Sequence, residues 1–252
     1  VTNTQMNRTQ FLNVSERQAV APPLAVSTVV FALRPDDAAA DGGGQRIWLP
    51  LVRRTREPYR GQWALPGGPL RGDTSLRTAA AHTLRATTGL APTLLEQLYT
   101  FGGTDRGIGL RTVSVVYWAL VRFAETDPDL VEDPNVAWFP ADDPAVIGAL
   151  AFDHQRIVEY ALARLRSKVS YADVADRMLP DTFTLAQLRQ VYEAIGGERL
   201  DPANFRRTIL SRGVVEDTGQ VLTGVRNRPP RLYRAKTSPD HDPVPDPEGE
   251  IQ

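Results

Sequence analysis

The stretch that most constrains the fold is residues 63–90, WALPGGPLRGDTSLRTAAAHTLRATTGL. Pro66-Gly67-Gly68 is a small-residue loop, and the helix after it is bounded at both ends. Asp73 or Ser75 is expected to cap its start, because a short oxygen-bearing side chain satisfies the free N–H groups of a first turn. Gly89 stops it, as glycine does where a chain turns left-handed. Leu76, Ala80, Thr83, Leu84 and Thr87 recur at helical spacing and are expected to face a core. The loop is expected to present backbone N–H groups at a helix N-terminus, which suits an anion.

This outline resembles the Nudix box, a loop–helix–loop that holds divalent metal against a diphosphate. With the last Gly-apolar of that pattern on Gly89-Leu90, its first Gly falls on Gly68 without a gap. Its first acidic position is then Thr74, its Arg-Glu becomes His82-Thr83, and its Glu-Glu pair becomes Ala86-Thr87. Hard cations want oxygen ligands, usually carboxylates, and these residues carry no negative charge. Asp73 lies one residue from the first acidic position and offers a single ligand at most. His82 is read as a surface or capping histidine, since a lone imidazole is a poor substitute among hard oxygen donors. The expectation is a Nudix frame that holds no metal and has no catalytic residues.

Strands surround the box. Leu24–Leu33 is apolar on both faces, as a central strand is. Arg46–Arg53 is a second strand whose Pro50 predicts an edge or a bulge. Leu98–Gly102 and Arg111–Arg122 follow, then a short strand ending at Trp138-Phe139. Ala151–Ser167 predicts an amphipathic closing helix with Phe152, Ile157, Tyr160, Ala161 and Leu165 on its apolar side. Its Arg164, Arg166 and Lys168 suit the negative end of a helix dipole. Arg53, Arg54, Arg56 and Arg60 crowd the approach to Gly67 and Gly68, and Arg106 and Arg111 flank a glycine loop opposite. Arginine pairs well with phosphate oxygens. Trp63, Phe101 and Tyr117 offer faces for a base or ribose, although each is the kind of residue a core takes first.

The pattern changes near Ala172. Three short helices, Ala172–Met178, Thr184–Ile195 and Pro202–Arg212, precede two strands, Val214–Asp217 and Val221–Val225, joined by a Thr218-Gly219 turn. Helices followed by a hairpin make a winged helix. The formal net charge of −1 gives no sign of a nucleic-acid partner, so the sign must be local. It is: Leu179–Lys236 holds ten basic and six acidic residues, the excess lying in the third helix and the wing. Phe205, Ile209 and Leu210 are expected in the core. Ala203, Asn204, Arg207 and Ser211 lie on the other side, with Arg206, Arg226, Arg228 and Arg231 near for phosphates. Asparagine pairs with adenine and arginine with guanine in a major groove.

Together the halves resemble the Nudix-related transcriptional regulators of the NrtR type. The residues carrying the resemblance are Trp63–Gly68, Leu98–Gly102, Val113-Ser114-Val115 with Tyr117, and Phe152-Asp153-His154. In the second half they are Leu179-Pro180, Phe183-Thr184-Leu185, Leu188, Tyr192-Glu193, Asn204–Arg207 and Arg231–Arg234. The resemblance implies an α/β, two-domain protein: a Nudix-like α/β/α sandwich with a mixed sheet, then a winged helix-turn-helix domain. It implies a homodimeric repressor of NAD biosynthesis or salvage genes that binds double-stranded operator DNA. The effector is then ADP-ribose or a related nucleotide, and no cofactor is needed. The expected division is an arm at 1–22, a sensing domain at 23–168, a DNA-binding domain at 169–236 and an acidic tail at 237–252. A cytoplasmic location is expected: cysteine is absent, the N-terminus lacks the apolar core of a signal peptide, and no apolar run approaches the roughly 20 residues of a membrane helix. The alternatives are an active ADP-ribose pyrophosphatase with an appended interaction domain, a pentose-pathway regulator of the same architecture, and a scaffold that binds no DNA.

Overall fold

The computed structural model describes residues 21–36, 44–71, 74–92, 95–104, 106, 111–121, 133–169, 178–224 and 229–236. The fold grows from β1 (Leu24–Pro35), buried without interruption from Val26 to Leu33. A strand buried on both faces needs layers on both, and alternate residues supply them. Val26, Val30 and Ala32 join one apolar cluster, and Val29, Phe31 and Leu33 join the other.

Six further strands complete the sheet around β1. β2 (Gln45–Arg53) pairs antiparallel with β1 through Ala32–Pro35, and β3 (Trp63–Ala64) pairs with the end of β2. β4 (Gly67–Pro69) pairs with Ala25–Ser27 of β1. Helix α1 (Leu76–Thr88) follows, then β5 (Glu96–Phe101) and β6 (Val113–Val121). β6 runs parallel to β1 along its length and antiparallel to β5, so the sheet is mixed. β7 (Val136–Pro140) pairs with the outer side of β2. Pro50 therefore sits inside the sheet, opposite Trp138. The missing N–H is tolerated because β2 has parted from β1 after Trp48 and meets β3 only at Val52.

α1 covers one face. Ser75 caps it, accepting from the Thr78 N–H at 3.2 Å, and Gly89 closes it at φ 72°. Asp73 lies outside the described residues. The fully buried side is Ala80, Leu84 and Thr88, one position on from the expected Thr87. The short α2 (Pro144–Ile147) leads to α3 (His154–Val169), which covers the other face. α3 starts three residues later than its apolar pattern suggests. Phe152 stays outside the helix at φ 58°, and both Phe152 and Tyr160 are exposed; Val158 and Leu162 take the core positions instead.

The winged helix is built on α4 (Leu185–Gly196) and α5 (Pro202–Arg212). Thr184 and Gln187 form a reciprocal capping box, Gly197 ends α4, and Asp201 caps α5. The expected helix at Ala172–Met178 lies outside the described residues except for Met178. The wing departs from expectation. β8 (Val215–Val221) runs straight through Thr218-Gly219 and pairs with β9 (Arg231–Ala235). Asp217 accepts from the Gly219 N–H at 2.9 Å, so the local turn chemistry makes a bulge and the chain reverses beyond Val221. Leu210 is 40% exposed, while Phe205 and Ile209 are buried with Leu188, Val191, Ile195, Val215 and Tyr233. That cluster continues into Ile157, Ala161 and Leu165 of α3, and α4 packs against β2. No helix among the described residues is long and apolar enough to cross a membrane.

Candidate functional site

β1, β2, the turn before β3, β4, the end of α1 and the start of α3 enclose a cavity of about 870 Å³. That lies in the upper part of the range for small-molecule sites, roughly 300–1,000 Å³. Gly67 makes the wall possible. A Cβ there would lie 2.7 Å from both Ser27 Oγ and Val26 O, so only glycine lets β4 close on β1. Gly68 faces open space. Gly72 and Asp73, which lead into α1, lie outside the described residues. Gly67 and Gly68 are strand residues, and the helix whose first turn reaches the cavity is α3, through His154 and Arg156.

Arg53 at the end of β2 and Arg54, Arg56 and Tyr59 of the turn after it line the cavity. Arg54 organises this turn: its Nε donates to Pro58 O at 2.7 Å, and its guanidinium lies 4.6 Å over the Phe152 ring. Phe152 packs edge-on against Tyr59 at 4.8 Å. Tyr59 and Phe152 both have positive φ, 65° and 58°. Such backbone costs about 1–3 kcal/mol per residue and persists only where neighbours enforce it, a pattern that clusters at ligand sites.

Next to Phe152, Arg106 grips Asp153 with both arms of its fork, Nε to Oδ2 at 2.6 Å and Nη2 to Oδ1 at 2.7 Å. Its third nitrogen donates to Phe101 O at 2.5 Å. Burial acts to raise the Asp153 carboxyl, but the hydrogen bonds and charge of Arg106 outweigh it and hold the group below its ordinary range. His154 Nδ1 accepts from the Leu65 N–H at 2.9 Å and so fixes the segment leading to Gly67. Burial pushes this imidazole down to about 4, with Asp153 acting the other way and Arg106 and Arg54 adding to the depression.

The Nudix frame implies a divalent cation, and the residues present do not fit one. Of the four box positions that acids occupy in that pattern, only Ala86 and Thr87 reach the cavity. Thr87 Oγ1 donates to Thr83 O at 2.7 Å, so its hydroxyl serves its own helix. His82 is exposed. Among the described residues no group of three or more His, Asp or Glu is placed to hold a metal.

Of the residues expected to bind an effector, Arg53, Gly67, Gly68 and Arg106 line the cavity. Trp63, Phe101, Arg111 and Tyr117 do not. Trp63 packs on Phe139 at 4.9 Å, Tyr117 belongs to the cluster under α1, and Phe101 is buried beside Tyr99 and Tyr160. Of these rings, Tyr117 belongs to a strand buried on both faces, and Trp63 and Phe101 pack against neighbouring aromatic rings. Arg111 turns to the backbone, donating to Gly102 O at 3.1 and 2.5 Å. Sequence reasoning passed over Tyr59, Asp153 and His154 and assigned Phe152 to the core. The signal that pointed to the last three was the Phe152-Asp153-His154 motif itself.

On α5, Asn204, Arg206, Arg207 and Ser211 are exposed. Arg207 Nη2 donates to Asn204 Oδ1 at 2.7 Å, and Ser211 bonds back to Thr208 O at 2.9 Å. Arg231 pairs with Asp217 at 2.6 Å, and Arg231 and Arg206 both act on that carboxylate, so the wing base and α5 share one basic surface. Arg226 and Arg228 lie outside the described residues.

Comparison with known proteins matches residues 26–161 to the NUDIX domain and residues 176–235 to the NrtR DNA-binding winged helix domain. The ADPR responsive transcriptional repressor NtrR of Acinetobacter baylyi is 32% identical over 226 residues, 88% of this chain and 90% of that protein. The crystal structure of Shewanella oneidensis NrtR complexed with a 27mer DNA is 30% identical with a TM-score of 0.67, covering 84% of this chain and 93% of that one. An ADP-ribose pyrophosphatase of Methanocaldococcus jannaschii is 28% identical over 109 residues, 43% of this chain and 62% of that protein. The chain belongs to the NrtR family of transcriptional regulators, in which a Nudix domain is joined to a DNA-binding winged helix domain.

Proposed function

We propose that this protein is a transcriptional repressor that binds operator DNA and responds to ADP-ribose or a closely related nucleotide. The genes it represses are those of NAD synthesis and salvage, and it acts as a homodimer in the cytoplasm. Residues 23–168 form the sensing unit and residues 169–236 the DNA-binding unit. The relative from Acinetobacter baylyi, named for its response to ADPR, supports the effector class, and the Shewanella oneidensis complex supports the DNA partner.

The observation that carries the reading is the cavity's chemistry. Arg53, Arg54 and Arg56 line a nucleotide-sized cavity, and α1 lines it with Ala86 and Thr87 where a hydrolase needs carboxylates. Guanidinium groups bind phosphate oxygens without activating water. Tyr59 and Phe152 supply aromatic surface. Asn204, Arg206, Arg207, Ser211 and Arg231 form the DNA-facing set, with Arg226 and Arg228 added to it from the sequence.

Incubation with ADP-ribose and Mg²⁺ or Mn²⁺ separates this from the hydrolase that the Methanocaldococcus jannaschii likeness suggests. Binding of ADP-ribose with no release of AMP is expected. Turnover dependent on the metal would overturn the reading.

A further inference from the structure

His154 is 8% exposed, and its Nδ1 is occupied by the Leu65 N–H. The imidazole is therefore the neutral tautomer that carries its proton on Nε2. That Nε2–H makes no hydrogen bond among the described residues, yet it is not sealed away. The single buried side-chain nitrogen or oxygen without a partner there is Trp48 Nε1, and His154 lines the cavity. Beside it stands Asp153, close enough for its charge to act on the ring. Arg106 takes one lone pair from each Asp153 oxygen and fixes the carboxylate in place. The side chain is still 28% exposed, and a carboxylate accepts about four hydrogen bonds, so acceptor capacity faces the cavity.

A rigid neutral donor next to a rigid anionic acceptor is a poor cradle for a phosphate, which Asp153 repels. It is complementary to two adjacent hydroxyls, the 3-hydroxyl donating to the carboxylate and the 2-hydroxyl accepting from the imidazole. We propose that Asp153 and His154 form a subsite for the vicinal diol of a ribose, while Arg53, Arg54 and Arg56 take the phosphates. The subsite rests on the reading of the cavity as a nucleotide site and says which part of the nucleotide is read there.

Two replacements separate the halves of His154. His154→Asn places an amide oxygen near Nδ1, keeps the acceptor for Leu65 N–H and deletes the outward donor. His154→Gln places an amide N–H near Nε2 and gives up the inner acceptor. Calorimetry compares ADP-ribose with its 2′-deoxy and 2″-deoxy analogues, which lack one hydroxyl of the adenosine or the distal ribose. Wild type is expected to bind one analogue about tenfold more weakly than ADP-ribose, and which one identifies the ribose. His154→Asn is expected to erase that difference, and His154→Gln to restore part of it. Equal binding of all three ligands by wild type overturns the diol subsite and leaves the nucleotide reading standing. A His154→Asn protein that still discriminates also overturns it. Failure of wild type to bind any of the three overturns the nucleotide reading, and the subsite with it.

Discussion

Protonating His154 places a charge where burial holds the ring neutral, with Arg54 and Arg106 opposing it and Asp153 alone favouring it. Its folded value of about 4 lies below the ordinary 6.5, so the unfolded chain takes up the proton first as pH falls. The stabilisation is complete above the ordinary value and is lost progressively toward the folded one. Each tenfold difference in proton affinity between the folded and unfolded chain is worth about 1.4 kcal/mol, so the effect across that window is about 3 kcal/mol. Urea titrations from pH 7 to pH 4 are expected to show this loss in wild type and little of it in His154→Asn; identical acid limbs would contradict it. At this scale the sequence was partly legible. Arg53, Arg106, Gly67 and Gly68, singled out for charge or for the absence of a side chain, do line the cavity. Trp63, Phe101 and Tyr117 do not line it, because an aromatic in a strand gives no sign of which side of the sheet has a cavity. Tyr59 needed its positive φ, which spacing does not encode.

Helices with short-range stop signals were the legible elements: Ser75 and Gly89, Thr184 and Gly197, Asp201 and Gly213 each mark a boundary the structure keeps. Elements that depend on a distant partner were less so. Thr218-Gly219 carries turn chemistry, but pairing with β9 carries the strand through it. Arg166 suited its own helix end by proximity, yet its Nε donates to Ile195 O, a carbonyl in the last turn of α4, at 3.1 Å. α3, 16 residues or about 24 Å long, thus begins at the cavity with His154 and reaches α4 through Arg166. Arg166→Met keeps the apolar stem and removes the guanidinium. The variant is expected to bind ADP-ribose and operator DNA as wild type does, with the effect of one ligand on the other reduced at least threefold. Unreduced coupling, read from DNA titrations with and without ligand, would show that this contact transmits nothing.

The whole molecule combines two units that the sequence already separated, a Nudix frame and a basic winged helix. Their shared core was not legible. Leu188, Val191 and Ile195 of α4 join Ile157, Ala161 and Leu165 of α3 in one apolar cluster. A cavity and a DNA-facing helix linked by a packed core form a unit in which ligand and DNA are expected to share one equilibrium. Losing the box acids fits that role, because a ligand that is cut cannot report its own concentration.

The most direct test is fluorescence anisotropy of an operator duplex titrated with the protein, alone and with saturating ADP-ribose, at one fixed salt concentration. Coupling between sites typically changes affinity by about 5–150-fold. A shift of that size is expected here, matched by an equal shift in ADP-ribose affinity when DNA is bound. Superimposable DNA-binding curves with ADP-ribose shown to be bound would contradict the account.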